Sequence, residues 1–440
     1  MSHKTQRTTR RGFLARSAKL AAGTAALGGL SLARSVHAAG DDVLRVALIG
    51  CGGRGSGAAG QCLNVPERTR LVAVADAFAD AAQGAAKAVK AQHPDKVDLP
   101  PERIFSGFDA GRRAIACGVD LVLLCEPPGF RPDHYRAAIE AGKHVFMEKP
   151  CCVDAPGFRS LLETNKLADQ KKLKVVVGLN MRHDFRIAET VKRVHEGAVG
   201  KVQVLRAYCN NAGVWVRARQ PGQTEMQYQM RNWYYFVWLS GDHIAEQHVH
   251  FLDLANWANG EKHPIEANGM GGREVRKGKE VGHIYDHHFV EYTYADGSKT
   301  FSQCRHIPAC WTAGGVYVRG VAGEADCTKG QLTGENPWSY SGPQVQGHQQ
   351  EHVDLLKAIR DDVPHNEGHY GATSSMTAIL GRMATYSGQV VTWDDAVARG
   401  PSEMPRQYAW DAEPPVLPDK DQSYEHAVAV PGVYKPYSPA

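Results

Sequence analysis

Gly50-Cys51-Gly52-Gly53-Arg54-Gly55 carries the spacing Gly-x-Gly-x-x-Gly, and Asp76 stands 21 positions beyond its last glycine. Those residue types at that spacing can hold a dinucleotide. Gly50 permits a tight turn, Gly52 lets a backbone approach a pyrophosphate, and Gly55 lets a helix close on a strand. The unpaired N–H groups that open a helix attract phosphate, and a carboxylate such as Asp76 accepts hydrogen bonds from a ribose diol. Cys51, Gly53 and Arg54 share the loop. A carboxylate repels a 2′-phosphate, and Ala77-Phe78-Ala79 adds no cation. NAD is therefore expected in preference to NADP.

A glycine pattern alone also occurs in ordinary turns, and its setting makes this one specific. The β-branched run Val43–Ile49 precedes it, and a second strand, Leu71–Ala75, ends on Asp76. The pattern predicts a helix over Ala79–Gln92, a strand at Val119–Cys125 and a helix from His134 to Gly142. The strand His144–Met147 closes on Glu148-Lys149-Pro150. A helix at Gly157–Lys171 and a strand at Val175–Gly178, running into Asn180-Met181-Arg182, complete the series. Such alternation predicts an α/β fold, a Rossmann-type doubly wound parallel sheet over residues 43–180. Ligands of these sheets sit at the carboxyl ends of the strands. Glu126, Pro127, Glu148, Lys149 and Asn180 fall there, with His134 opening the helix behind. They join residues 50–55 and Asp76 as candidate cofactor contacts.

Residues 181–400 change character. Lys201–Tyr208, His287–Tyr294, Lys299–Arg305 and Val316–Val321 alternate like half-exposed strands, with a hairpin signal at Asp296-Gly297. With helices at Gln350–Arg360 and Ser374–Tyr386, they predict an α+β domain on an open-faced, mainly antiparallel sheet. From Pro401 to the end the chain is Pro-rich and is expected to wrap the surface.

Asp242–Asp253 reads DHIAEQHVHFLD. On one continuous helix His243, Glu246 and His250 stand at i, i+3 and i+7, on a common face, while His248 points elsewhere. That face could take a divalent metal, but a polyol-binding face is the reading adopted, and no metal is assigned. Just before it, residues 230–238 interleave aromatics with Arg and Asn, which suits a carbohydrate ring and its hydroxyls. Trp233 and Tyr234 are thus candidate substrate contacts, as is Arg182 after the last parallel strand.

The glycine loop, Asp76, the Glu148-Lys149-Pro150 triplet and Asp242–Asp253 together resemble the glucose–fructose oxidoreductase/inositol dehydrogenase family, Gfo/Idh/MocA. The resemblance spans residues 43–400. It implies a nicotinamide at the junction of the two domains, with Lys149 and His250 touching the reacting carbinol and serving as catalytic residues. The acid four residues before His250 is Glu246, where the family more often has Asp. This leaves open whether the carboxylate orients the imidazole or meets substrate. The resemblance also implies a homo-oligomer.

The formal net charge of +4 on 440 residues, without blocks of like charge, argues against a nucleic-acid partner. The ten cysteines lack metal-type spacing and a disulfide framework. Thr8-Thr9-Arg10-Arg11-Gly12-Phe13-Leu14 and the Ala/Gly-rich run Leu20–Leu32, ending at Val36-His37-Ala38, read as a twin-arginine export signal over residues 1–39. The run is too short and too Gly-rich to span a bilayer well, so the mature chain is expected in the periplasm without a membrane span. A cofactor carried there must be restored within the site. Two reactions meet that need: a ping-pong oxidoreductase acting on a sugar or polyol, and a redox-neutral, NAD-dependent glycoside hydrolase. A sugar-binding protein with a structural cofactor is the third alternative.

Overall fold

The computed structural model describes residues 43–437, so the expected export signal lies outside the described residues. Six strands form the first sheet: β1 (Leu44–Ile49), β2 (Thr69–Asp76), β3 (Ile104–Ser106), β4 (Leu121–Leu124), β5 (His144–Met147) and β6 (Val175–Val177). All pairs are parallel, in the order β3-β2-β1-β4-β5-β6. Helices cover both faces, which explains why these strands are almost uninterrupted apolar runs. The strand order reverses between β1 and β4, which opens a crevice at their carboxyl ends. The helices that matter here are α1 (Gly53–Asn64), α2 (Ala79–Gln92), α3 (Ala110–Ala116), α4 (Arg131–Glu140) and α5 (Ala155–Gln170). Sequence patterning missed β3 and α3; three and seven residues are too few to establish a period.

The second sheet has nine strands in the order β14-β13-β12-β11-β7-β10-β9-β8-β15. They are β7 (Val202–Asn211), β8 (Glu266–Gly272), β9 (His287–Thr293), β10 (Lys299–His306), β11 (Ala313–Gly320), β12 (Gly323–Asp326), β13 (Gln331–Gly334), β14 (Trp338–Ser339) and β15 (Val391–Thr392). The expected hairpin joins β9 to β10, with Gly297 at φ +83° in its turn. The sheet is mainly antiparallel, as expected, but β7 and β10 run parallel, from Val204 opposite Lys299 to Asn211 opposite His306. One face is covered by helices; the other leaves Met270 of β8 72% exposed, and Trp311, in the loop between β10 and β11, is 64% exposed and packs on Tyr208 of β7.

Further helices include α6 (Phe185–His195), α7 (Glu225–Arg231), α8 (His243–Glu246), α9 (Val249–Ala258), α10 (Gly347–Arg360) and α11 (Gly368–Ser387). Packing does not follow a boundary at residue 180. Leu355, Leu356 and Ile359 of α10 share a core with Leu44, Val46 and Leu121 of the first sheet. A second core joins Ile49 and Val122 to Tyr292 of β9 and Met376 of α11. The Pro-rich segment does more than wrap the surface: Tyr424 is fully buried, and Trp410 packs on Phe78 and Phe108.

His183, beside the last parallel strand, ties that strand end to α10 and to the start of α11. Its Nδ1 lies 2.6 Å from Asp354 of α10, and its Nε2 forms a 3.3 Å ion pair with Glu367. Burial opposes the imidazolium, but the two carboxylates outweigh it and raise the pKa to about 10. The stability it supplies is complete below the ordinary histidine pKa of 6.5 and is lost as pH rises toward about 10. Melting temperatures of wild type and His183→Gln should accordingly differ most at the acid end of that window and converge at its alkaline end.

Candidate active site

The glycine loop is built for a ligand. Gly50 sits at φ +88°, and a methyl there would lie 2.2 Å from the Glu126 nitrogen. A methyl on Gly55 would lie 1.9 Å from the Gly50 carbonyl oxygen, whereas one on Gly52 or Gly53 would meet nothing within 4 Å. Tight packing behind and open space in front are what a close-approaching pyrophosphate requires. Helix α1 opens there with no side-chain cap and no acid in its first turn, so its first N–H groups remain for an anion.

Asp76 ends β2 as expected and lines the crevice. Its carboxylate also pins the loop, with Oδ2 accepting from the Cys51 N–H at 2.8 Å and Oδ1 from the Phe78 N–H at 2.9 Å. Burial raises its pKa against the pull of those two donors. The crevice encloses a cavity of about 500 Å³. Residues 50 and 52–55, Asp76, Glu126, Pro127 and His134 line it, joined by Phe78 and Phe108, and by Trp215, Arg217, Met230, Arg231 and Trp233 from the second domain. Residues and space fit a dinucleotide. Trp233, expected as a substrate contact, lines this cavity and is set against Trp215 at 6.0 Å. Phe78, Phe108, Trp215 and Arg217 were missed, because only folding brings them to the glycine loop.

Glu126 is buried, with His134 Nδ1 3.2 Å from its Oε1. Arg54 bonds Glu148 through Nε and reaches Glu351 of α10 at 3.2 Å and Gln61 at 2.8 Å. Asn180 meets Nδ1 of His348 at 3.0 Å. Beside Glu148, at the end of β5, Lys149 Nζ donates to the Glu246 carbonyl and, at 2.8 Å, to Glu246 Oε1. This bears on the role of Glu246, which the sequence left open. Its carboxylate pairs with Lys149, and no hydrogen bond joins it to His250 among the described residues. His250 Nδ1 is buried without a partner. Burial, then the charges of Lys149, His348 and Arg54, hold its pKa far below the usual imidazole value, so it is neutral.

The expected face of His243, Glu246 and His250 does not exist. Helix α8 ends at Glu246, and α9 begins at Val249. The His248 N–H reaches back to the His243 carbonyl at 3.1 Å, and its buried ring bonds Ser302 of β10 at 2.6 Å. Drawing that imidazole into the sheet breaks the helix and turns His243 inward. His243 donates from Nδ1 to Asp242 at 2.8 Å, which leaves Nε2 an acceptor with no partner. Burial drives its pKa down to about 4. Its ring packs on His306 at 4.5 Å and His288 at 4.8 Å. Among the described residues, the group with metal-type spacing is Asp242, His243 and His288. Asp242, however, already accepts from the His243 N–H and Nδ1–H, the Tyr285 N–H and the Tyr386 hydroxyl. Four donors fill its lone pairs, so the carboxylate is a structural anchor rather than a metal ligand. Tyr234, the other expected substrate contact, has a buried hydroxyl with no partner, and its pKa is raised by burial and by the nearby Glu246 charge.

Arg182 is not a substrate contact. It grips Asp253 from Nε and Nη2 at 2.9 Å, reaches Glu261 at 2.6 Å, and stacks on Tyr370 at 3.6 Å. Arg182→Lys keeps the charge but loses the fork. It should cost about 1–3 kcal/mol, read as a lower melting temperature with cofactor content unchanged.

Residues 44–179 match the family model GFO_IDH_MocA, "Oxidoreductase family, NAD-binding Rossmann fold". The chain is 29% identical to inositol 2-dehydrogenase of Rhizobium meliloti over 193 residues, 44% of this chain and 48% of that one. It is 28% identical to a glycosyl hydrolase family 109 protein of Streptomyces coelicolor over 36% of this chain and 32% of that one. The matches thus span about half, or less, of these relatives. Among solved structures, aldose-aldose oxidoreductase from Caulobacter crescentus superposes with a TM-score of 0.62 at 17% identity, over 80% of this chain and 100% of that one, a likeness of fold. Taken with the glycine loop and the six-stranded sheet, these matches make residues 44–179 an NAD-binding Rossmann domain of the Gfo/Idh/MocA oxidoreductase type.

Proposed function

We propose that the protein oxidises a secondary alcohol of a sugar, polyol or glycoside by hydride transfer to a resident NAD. The observation that carries this reading is the Lys149–Glu246 pair. It joins an ammonium and a carboxylate from opposite domains at the strand end next to the cofactor cavity. Asp76 favours an unphosphorylated ribose, hence NAD over NADP. Bound in the cavity, the nicotinamide supplies the hydride acceptor. Two of the three Lys149 donors go to Glu246, which leaves one for a substrate hydroxyl. Lys149 passes a proton to Glu246, and the neutral amine then turns its lone pair to that hydroxyl and takes its proton, so the pair acts as the base. Neutral His250 can accept a bond from a second hydroxyl. A carbonyl compound then takes the hydride back, with Lys149 returning the proton.

The likeness to family 109 glycosyl hydrolases favours a second reading on the same residues, in which hydride leaves the sugar, the aglycone is eliminated and the hydride returns. A panel of nitrophenyl glycosides and free sugars, assayed without added NAD, separates the two. Sugar oxidation coupled to reduction of a second carbonyl supports the oxidoreductase. Aglycone release with no net reduced nucleotide transfers the assignment to the hydrolase, and sugar binding without turnover leaves a binding protein. The twin-arginine pattern alone supports a periplasmic location. The exposed apolar side chains of Met270 and Trp311 support a homo-oligomer, which sedimentation would test.

A further inference from the structure

We propose that Arg217 and Arg231 of the second domain retain the dinucleotide between turnovers, with the C-terminal segment latching the helix that bears Arg231. This rests on the cavity being the dinucleotide site. A pyrophosphate brings two negative charges, and the glycine loop offers N–H groups but no free cation, since Arg54 is tied to Glu148 and Glu351. Arg217 and Arg231 line the cavity and also an adjoining outer hollow of about 470 Å³, so they form the partition between them. The Arg217 guanidinium lies 5.0 Å from the Trp215 ring centre and has no carboxylate partner among the described residues. Arg231 lies 3.7 Å over the ring of Phe78, two residues past Asp76; it pairs with the exposed Asp80 through Nη2 alone, at 2.6 Å, and its Nε and Nη1 have no carboxylate partner among the described residues.

The C-terminal segment holds this wall from behind. Trp410 packs at 5.0 Å on the same Phe78 ring that Arg231 overlies. Gln229 of α7 donates to the Val416 carbonyl at 2.7 Å, and Tyr424 donates to Glu225 at the start of the same helix while accepting from Arg219 at 3.0 Å. For the nucleotide to leave past this partition, α7 must move, and the latch opposes that movement.

The test follows exchange of the bound nucleotide of the purified holoprotein for etheno-NAD, by fluorescence. Wild type should exchange more slowly than it turns over. Arg217→Ala and Arg231→Ala should each speed exchange about tenfold, the loss of one charge-assisted contact, and Arg231→Lys should recover part of it. Tyr424→Phe, remote from the cavity, should also speed exchange, with an intact melting transition showing that each variant is folded. Exchange at every turnover in wild type, or rates unchanged in the variants, would overturn the proposal while leaving the cofactor site standing. A chain that neither carries nor takes up a dinucleotide would overturn the site reading and this inference with it.

Discussion

Lys149→Ala should lower turnover about 10²–10⁴-fold, the usual range for loss of a positioned proton-transfer group, while the dinucleotide stays bound. Lys149 is one strand removed from the residues lining the cavity, so its loss touches the chemistry more than cofactor binding. The pairing with Glu246 sharpens the expectation. Glu246→Gln can still accept from Lys149 but cannot take a proton, so it should be nearly as impaired as Lys149→Ala. Lys149→Arg keeps a cation that does not deprotonate and should bind substrate without turning it over. Steady-state rates with quantified bound cofactor check all three. Undiminished turnover in Lys149→Ala would remove the pair from the mechanism.

Gly55→Ala should yield protein that purifies without nucleotide and melts earlier. Its methyl would stand 1.9 Å from a backbone oxygen that no side-chain rotation can relieve. Helix α1 must therefore shift, costing about 1–3 kcal/mol in strain and drawing the first N–H groups off the pyrophosphate. Gly84→Ala is the control. Gly84 is exposed within α2 with nothing within 4 Å of its added methyl, so the change should stabilise by roughly 0.5–1 kcal/mol. Thermal melts and the nucleotide released on denaturation report both.

Spacing made the cofactor half legible. Glycine loop, flanking strands and Asp76 are local in sequence, and the helix Ala79–Gln92 and strand His144–Met147 fall where their patterns end. The second half was less legible because its geometry depends on distant partners. A single-helix reading of residues 242–253 fails because His248 finds Ser302, 54 positions on. Arg182 looked available beside a strand end until Asp253 and Glu261 took both sides of its guanidinium. Among the aromatics at 230–238, which suggested a sugar platform, Trp233 lines the nucleotide cavity and Trp238 is buried in the core. Helix α10 joins the core of the first sheet across some 300 residues, a docking no local pattern announces.

The most direct test mixes the purified protein, with no nucleotide added, against a series of aldoses and polyols and follows the absorbance of bound nicotinamide. A substrate alcohol should raise the reduced-nicotinamide band, to no more than one equivalent per site, and a second carbonyl compound should erase it. If that band does not move for any alcohol while the protein verifiably carries NAD, hydride transfer at the Lys149–Glu246 junction is contradicted.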